Sequence, residues 1–265
     1  MDIPFIRLAY PLLILYGYWY AFVSNPWVDP PIDPASNDPN YLSLEKAQIL
    51  VDESRALTAQ NKFEEALIPL QRLHKGFPEN HIYLQGLAET YDHLSRYKEA
   101  NEMWEQYLLY SPTPIEGCPQ VGLDYRRLGK EAEALNAFER CHAIEENSDT
   151  LLFYGNALER QGQFAKALEL YQKAIERAPT YADVAVSLAR VEARLGKAAA
   201  AKPRIDEILK SRPDDTEALI AAGLVYSALG QRSAALRYLE HARTLSPDYK
   251  DIAVLMRMIR RNGGM

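Results

Sequence analysis

The sequence predicts an all-α fold, a curved solenoid of about six helical hairpins followed by a capping helix. The prediction rests on one pattern that returns from Leu50 to Pro247 at intervals of 34 residues, with a single interval of 33. A small residue recurs in this pattern, at Ala66, Ala100, Ala134, Ala167, Ala201 and Ala235. A proline closes most units, at Pro78, Pro112, Pro179, Pro213 and Pro247, with Glu146 in the remaining place.

Each unit has the pattern of two amphipathic helices joined by a tight turn. The proline ends the second helix because it has no amide proton to donate. The small residue lets two helix backbones approach closely, and the large residue four positions later, as in Trp104, Phe138 and Tyr171, fills the adjoining gap. Glycine at the turn suits a left-handed helix end. The turn positions are Asn61, Ser95, Gly129, Gly162, Gly196 and Gly230.

The residues of these units resemble the tetratricopeptide repeat family over about Tyr41 to Pro247. The second unit carries the resemblance best, with Leu84, Leu87, Ala88, Tyr91, Tyr97, Ala100, Trp104 and Pro112 at the family's signature positions. The fourth and sixth units follow with Tyr154, Gly155, Gly162, Phe164, Ala167, Tyr171 and Pro179, and with Ala222, Gly223, Tyr226, Gly230, Ala235 and Pro247. The resemblance implies a right-handed superhelix whose inner surface is formed mainly by the first helix of each hairpin.

Two units depart from the family pattern. The first has Glu53 and Ser54 where the family prefers Leu and Gly, as terminal units often do. In the third, Pro114 and Pro119 fall within the first helix, so we expect this helix to start late or to bend.

The chain divides into four segments by composition. Residues 1–23 form a hydrophobic segment, residues 24–39 a Pro/Asp-rich linker, residues 40–247 the repeat array, and residues 248–265 a capping helix and tail. The cap is needed because an open solenoid would leave its last apolar surface in water.

The hydrophobic segment is predicted to anchor the protein in a membrane. Residues 3–23 contain one charge, Arg7, and as a helix they would extend about 30 Å, the thickness of a hydrocarbon core. Pro4 and Pro11 interrupt the segment, which leaves two alternatives open. It could be an apolar arm packed inside a partner subunit, or a cleaved signal peptide, although the residues expected at a cleavage site are absent.

The flanking charges predict the orientation of this anchor. Arg7 precedes the apolar stretch, and no Lys or Arg occurs from Ser24 until Lys46. The positive-inside rule then gives a single-pass protein with a cytoplasmic N-terminus and the repeats on the extracytoplasmic, or periplasmic, side. Trp19, Tyr20 and Trp27 would lie at the membrane interface, where aromatic rings are favoured.

Composition and motifs argue against catalysis and against nucleic acid as a partner. The 265 residues carry a net charge of -6, which is wrong for binding a phosphate backbone. The five histidines have no metal-ligand spacing, and the glycines form no phosphate-binding loop. We therefore predict no enzyme, no catalytic residue, no cofactor, no metal and no small-molecule substrate.

The two cysteines, Cys118 and Cys141, lie near the start of the first helix and near the end of the second helix of one hairpin. These ends are neighbours in an antiparallel pair, so a disulfide is sterically possible. The alternative is that both are small core residues, since a free cysteine packs like a hydrophobe.

A partner-binding surface is expected on the exposed positions of the first helices, following the family resemblance. An arginine-lined groove could hold an acidic or extended peptide, because guanidinium groups bind carboxylates through two hydrogen bonds. The alternative is a solvated face whose charges pair with each other. The candidate residues are Arg55, Glu89, His93, Arg126, Arg127, Asn156, Arg160, Arg190 and Arg194.

These observations predict a protein–protein interaction scaffold or assembly factor tethered to a membrane. Its partners would be other proteins, expected to be subunits of a membrane complex, with lipid contacts through residues 3–23. One alternative is an integral accessory subunit of a larger membrane enzyme, with its N-terminal arm packed in the complex. A second is a soluble peptide-binding adaptor.

Overall fold

The computed structural model describes residues 42–261, so the predicted anchor, the linker and the interface residues Trp19, Tyr20 and Trp27 lie outside the described residues. Residues 42–261 contain thirteen α-helices, one short 3-10 helix and no strand. The predicted all-α fold is confirmed. No helix within these residues is both long and apolar enough to cross a bilayer.

The chain forms two compact units that divide between Leu94 and Ser95. The helices of the first unit are α1 (Leu44–Ala59), α2 (Phe63–Gly76) and α3 (His81–His93). The second unit contains α4 (Tyr97–Tyr110), α5 (Cys118–Arg127), α6 (Glu131–Ile144), α7 (Ser148–Arg160), α8 (Phe164–Arg177), α9 (Ala182–Arg194), α10 (Ala198–Ser211), α11 (Thr216–Ala228), α12 (Arg232–Leu245) and α13 (Lys250–Arg261). The odd-numbered helices α1 to α11 are the first helices of the six predicted hairpins, and α13 is the predicted cap.

The turns between paired helices adopt the predicted left-handed conformation. All six predicted turn positions have positive φ, from 58° at Asn61 and Ser95 to 76° at Gly196. The two non-glycine residues are Asn and Ser, which are short polar side chains. The repeat register read from the sequence therefore places every turn correctly.

The recurring small residues are core residues. All six are buried, with at most 1% of their surface exposed. Large side chains fill the space beside them, and Tyr171 is completely buried. On the facing first helix, a Cβ atom added at Gly155 would lie 2.5 Å from Cε1 of Tyr171. The glycine and the tyrosine are thus a matched pair.

Substituting Gly155 with alanine is expected to destabilise the fold by about 1–3 kcal/mol, because the added methyl overpacks against Tyr171. The equivalent pair in the fifth hairpin is Ala189 and Ile205, both buried in one core cluster. In a Tyr171→Ile background, Gly155→Ala should therefore become neutral or stabilising, as alanine is the better helix former. Urea denaturation of the four variants measures this coupling, and equal effects in both backgrounds would contradict it.

The third hairpin is shorter than the others, as its prolines predict. A 3-10 helix at Pro114–Glu116 precedes α5, which begins only at Cys118. The structure joins Cys118 to Cys141 of α6 by a disulfide, with 5.6 Å between the Cα atoms. Both residues are buried, so the bond ties the late start of α5 to the end of α6 within the core.

The last helix covers the end of the second unit on one face only. Ile252, Met256 and Ile259 are buried and belong to the core cluster formed with α11 and α12. Val254 and Met258 lie on the other side, 43% and 53% exposed. The helix is therefore a cap that also presents apolar side chains to solvent.

Candidate partner-binding groove

A groove with a volume of about 990 Å³ opens on the second unit. It is formed mainly by the first helices α7, α9 and α11 and by α13, with Arg126 contributed by α5. We call it the central groove. Its side chains fall into rows because equivalent positions of successive first helices recur 34 residues apart.

One edge of the central groove is acidic. Asp183, Glu217 and Asp251 line it, and each is the second residue of its helix, in α9, α11 and α13 respectively. A carboxylate in the first turn is favoured by the partial positive charge at a helix N-terminus. We call these three residues the acidic row.

The opposite edge is basic. Arg126, Arg160 and Arg194 line it, in the last turns of α5, α7 and α9. A cation in the last turn is stabilised by the partial negative charge of the helix C-terminus. We call these residues the basic row. The dipoles of the first helices therefore stabilise the charges at both edges of the groove.

A row of apolar side chains lies on the floor between the two charged rows, beside the polar Asn156, Ser187 and Arg190. Leu152, Val186, Ile220 and Val254 occupy equivalent positions 34 residues apart, and all four line the groove. The first three are buried, whereas Val254 is exposed and Leu224 beside the row is half-buried. The groove therefore presents apolar surface chiefly at its C-terminal end.

An ion-pair network forms part of the floor, beside the apolar row. Arg190 donates to both carboxylate oxygens of Glu159, at 2.8 and 3.0 Å, and to Oε2 of Glu217 at 3.1 Å. The Tyr171 hydroxyl donates to Oδ1 of Asn156 at 2.7 Å and lies 3.2 Å from Oε2 of Glu159. The side chains of Glu159 and Arg190 are only 8% and 18% exposed. This network links three successive hairpins.

The electrostatics of the network keep its donors protonated. Burial and the Glu159 carboxylate raise the pKa of the Tyr171 phenol well above its ordinary value. Burial alone would lower the pKa of Arg190, but the hydrogen bonds to Glu159 outweigh it and raise that pKa. Near the rim, burial and the Glu217 carboxylate raise the pKa of Tyr249 to about 12, and its hydroxyl donates to Oε1 of Glu217 at 2.9 Å.

Five of the predicted partner-binding residues meet in the central groove: Arg126, Asn156, Arg160, Arg190 and Arg194. The other four do not line it. Arg127 pairs with Asp124 at 2.8 Å, and its guanidinium lies over the ring of Tyr97. Arg55, Glu89 and His93 belong to the first unit, where Glu89 accepts from Gln85 and His93 stacks on Phe63.

The charge of the groove differs from the expected arginine-lined surface. Five arginines line the groove: the three of the basic row, Arg190 and Arg212. Five carboxylates also line it: the three of the acidic row, Glu159 and Asp215. The acidic row is absent from the predicted partner-binding residues, although the 34-residue register that aligns the arginines also aligns Asp183, Glu217 and Asp251. The groove is therefore balanced in charge, with the acidic and basic rows at opposite edges and Arg212 beside Asp183 of the acidic row.

Several rim charges pair with each other, as the alternative interpretation expected. Arg160 contacts Glu131 at 2.8 Å, and Arg212 contacts Asp183 at 3.1 Å. Both pairs are exposed to water, and such pairs contribute only about 0–1 kcal/mol, so a partner's charges can replace them. At Arg126, burial and the nearby Arg160 guanidinium lower the pKa. A cation held beside another cation favours an incoming carboxylate.

Within residues 42–261, no group of three or more His, Cys, Asp and Glu side chains is arranged to hold a metal ion. The expectations that the protein uses no metal or cofactor and catalyses no reaction stay predictions.

Three family models described as tetratricopeptide repeat match the chain, over residues 158–223, 122–182 and 216–249. The curated relatives include the BBSome complex member BBS4 of Bos taurus, 24% identical over 153 residues, and the protein O-mannosyl-transferase TMTC1 of Homo sapiens, 24% identical over 143 residues. These matches cover 58% and 54% of this chain but only 30% and 16% of the relatives, so the chain spans less than a third of either.

Solved structures with the same fold extend the comparison to most of the chain. A tetratricopeptide repeat protein from Parabacteroides merdae matches with a TM-score of 0.59 and 17% identity, covering 92% of this chain and 90% of that one. PilW, a type IV pilus biogenesis factor, matches with a TM-score of 0.61 and 20% identity, covering 79% and 98%. YrrB, a protein with an unusual peptide-binding site, matches with a TM-score of 0.54 and 20% identity, covering 72% and 97%. The chain thus carries tetratricopeptide repeats and has the solenoid fold of such proteins.

Proposed function

We propose that this protein is a non-catalytic scaffold or assembly factor that binds a segment of a partner protein in the central groove. The tetratricopeptide fold supports a protein-interaction scaffold. The observation that supports the more specific proposal is the groove itself, where apolar side chains, accessible chiefly at Leu224, Val254 and Leu255, lie between two rows of opposite charge. This is the usual composition of a recognition surface, because apolar area supplies affinity and charges supply selectivity.

We further propose that residues 3–23 tether the scaffold to a membrane, with the repeats on the extracytoplasmic side. The charge asymmetry around Arg7 supports this orientation. The Cys118–Cys141 disulfide supports it independently, because disulfides persist in oxidising compartments and are rare in the cytosol. The partners would then be subunits of a complex in that membrane.

The alternative is an integral accessory subunit, in which residues 3–23 pack inside a partner rather than in lipid. The apolar side chains that α13 exposes, Val254 and Met258, favour a stable interface of this kind. Purification in mild detergent separates the two: a stoichiometric partner that stays bound throughout indicates a subunit, whereas loss of the partner on washing indicates a scaffold. A soluble adaptor remains equally compatible with the fold.

Membrane extraction tests the tether directly. The full-length chain is expected to stay in the membrane pellet after carbonate washing, and a variant lacking residues 1–30 is expected in the supernatant. A matched control replaces residues 3–23 with an unrelated single-span segment of the same orientation, which should restore pelleting. Carbonate-resistant association of the deletion variant would contradict the tether and leave the groove proposal untouched.

A further inference from the structure

We infer that the segment recognised by the central groove is an amphipathic α-helix with basic residues along one flank, acidic residues along the other and an apolar stripe between them. The inference rests on the proposed function and specifies its ligand. The groove has three chemically different surfaces, the acidic row, the apolar floor and the basic row, and they run in parallel across successive hairpins.

The number of these surfaces distinguishes a helix from an extended chain. Side chains of a β-strand point in two opposite directions only, so a strand that reaches both charged rows turns no side chain toward the floor. A helix projects side chains all around its axis. Its apolar stripe can contact the floor while its two flanks contact the two rows.

The width of the groove also suits a helix. Asp183 and Arg194 stand eleven positions apart in α9, which corresponds to about 16 Å along the helix axis. A helix with its side chains is about 10–12 Å across, so it fits between the rows with room for ion pairs on both sides. Leu224, Val254 and Leu255 offer apolar contacts between the rows.

The charged side chains of the rim are accessible to such a ligand, which would compete with the pairs that Asp183 makes with Arg212 and Glu217 makes with Arg190. The side chains of Asp183, Glu217 and Arg194 are 61%, 49% and 40% exposed. Arg194 lies 3.7 Å from Glu159, a longer contact than the two that Arg190 makes with the same carboxylate. Carboxylates of the ligand would therefore pair with Arg126 and Arg194, and its ammonium or guanidinium groups with the acidic row.

A polarised groove also selects the direction of the bound helix. Turning a helix end for end exchanges its two flanks, which would place acids against acids and bases against bases. Like charges brought together oppose binding. The groove therefore accepts such a helix in one direction along the hairpins.

Three labelled synthetic peptides of about three heptads each test the inference on the full-length protein. The segregated peptide has an apolar stripe with Lys on one flank and Glu on the other. The mixed peptide has the same composition and helicity with Lys and Glu on both flanks, and the broken peptide is the segregated one with a central proline. Fluorescence anisotropy at low salt should show the segregated peptide binding about tenfold or more tightly than either of the others.

A charge-reversal variant identifies the surface involved. Asp183→Lys with Asp251→Lys should abolish the preference for the segregated peptide and give tighter binding of a fourth peptide, which has the same apolar stripe and Glu on both flanks. Glu169→Lys with Glu176→Lys places the same charges on exposed positions of α8, outside the groove, and should preserve the preference. Equal binding of the segregated and mixed peptides, undiminished binding of the broken peptide, or no binding of any peptide would overturn the helix inference. These outcomes would not contradict the proposed function. That function is tested separately, by whether a native partner protein contacts the central groove.

Discussion

Replacing Glu159 with alanine is expected to lower the free energy of unfolding by about 3–5 kcal/mol. Glu159 accepts two hydrogen bonds from Arg190, and both side chains are largely withdrawn from water. Removing the carboxylate deprives the Arg190 guanidinium of its main partner, and little water can reach it as a replacement. Denaturant unfolding followed by circular dichroism measures the loss.

The double variant Glu159→Leu/Arg190→Leu is the matched control. Replacing both members of a buried ion pair with apolar residues is often neutral, so most of the lost stability should return. A second control, Glu131→Ala, removes the partner of the exposed Arg160 and should cost no more than about 1 kcal/mol. A Glu159→Ala effect as small as that of Glu131→Ala would show that the network does not hold the hairpins together.

Reducing the Cys118–Cys141 disulfide is expected to destabilise the second unit by about 3 kcal/mol. The bond closes a loop with a sequence separation of 23, which restricts the unfolded chain at the third hairpin. It also holds the start of α5, the helix that carries Arg126 of the basic row. Thermal unfolding with and without reductant measures the effect.

The variant Cys118→Ser/Cys141→Ser separates the bond from side effects of the reductant. Its stability should match that of the reduced protein and should not change when reductant is added. Protein isolated from its native compartment without reductant should resist alkylation at both thiols. Complete alkylation of Cys118 and Cys141 under these conditions would contradict the disulfide and remove one support for the extracytoplasmic location.

The sequence predicts the local structure of the repeats well, because each feature that recurs from one repeat to the next has its own physical cause. Positive φ at Gly196 and burial of Ala201 follow from the turn and the close helix crossing that every hairpin requires. The late start of α5 follows in the same way from Pro114 and Pro119. Each of these features depends on a short stretch of chain, so it can be predicted from the local sequence.

The candidate site is predicted only in part, because its properties depend on neighbours in different hairpins. The repeat pattern places Arg190 at a position expected to be exposed and to bind a partner. In the structure its guanidinium instead forms ion pairs with Glu159 and Glu217 of the same chain. Reversing its charge would disturb folding and so would not test binding. The division between Leu94 and Ser95 is likewise invisible in the repeat pattern, since the second hairpin matches the family best and still contributes one helix to each unit.

Site-specific photo-crosslinking in intact cells tests the central claim most directly. A photoreactive residue at Leu224, on the groove floor, should yield a crosslinked partner protein, while the same residue at Lys173, exposed on α8 outside the groove, should not. The Leu224 adduct should weaken when Arg126 and Arg194 are changed to Glu, and should persist when Lys166 and Lys173 are changed instead. Adducts of equal yield at Leu224 and Lys173, or a Leu224 adduct indifferent to the basic row, would contradict the central groove as the partner-binding surface.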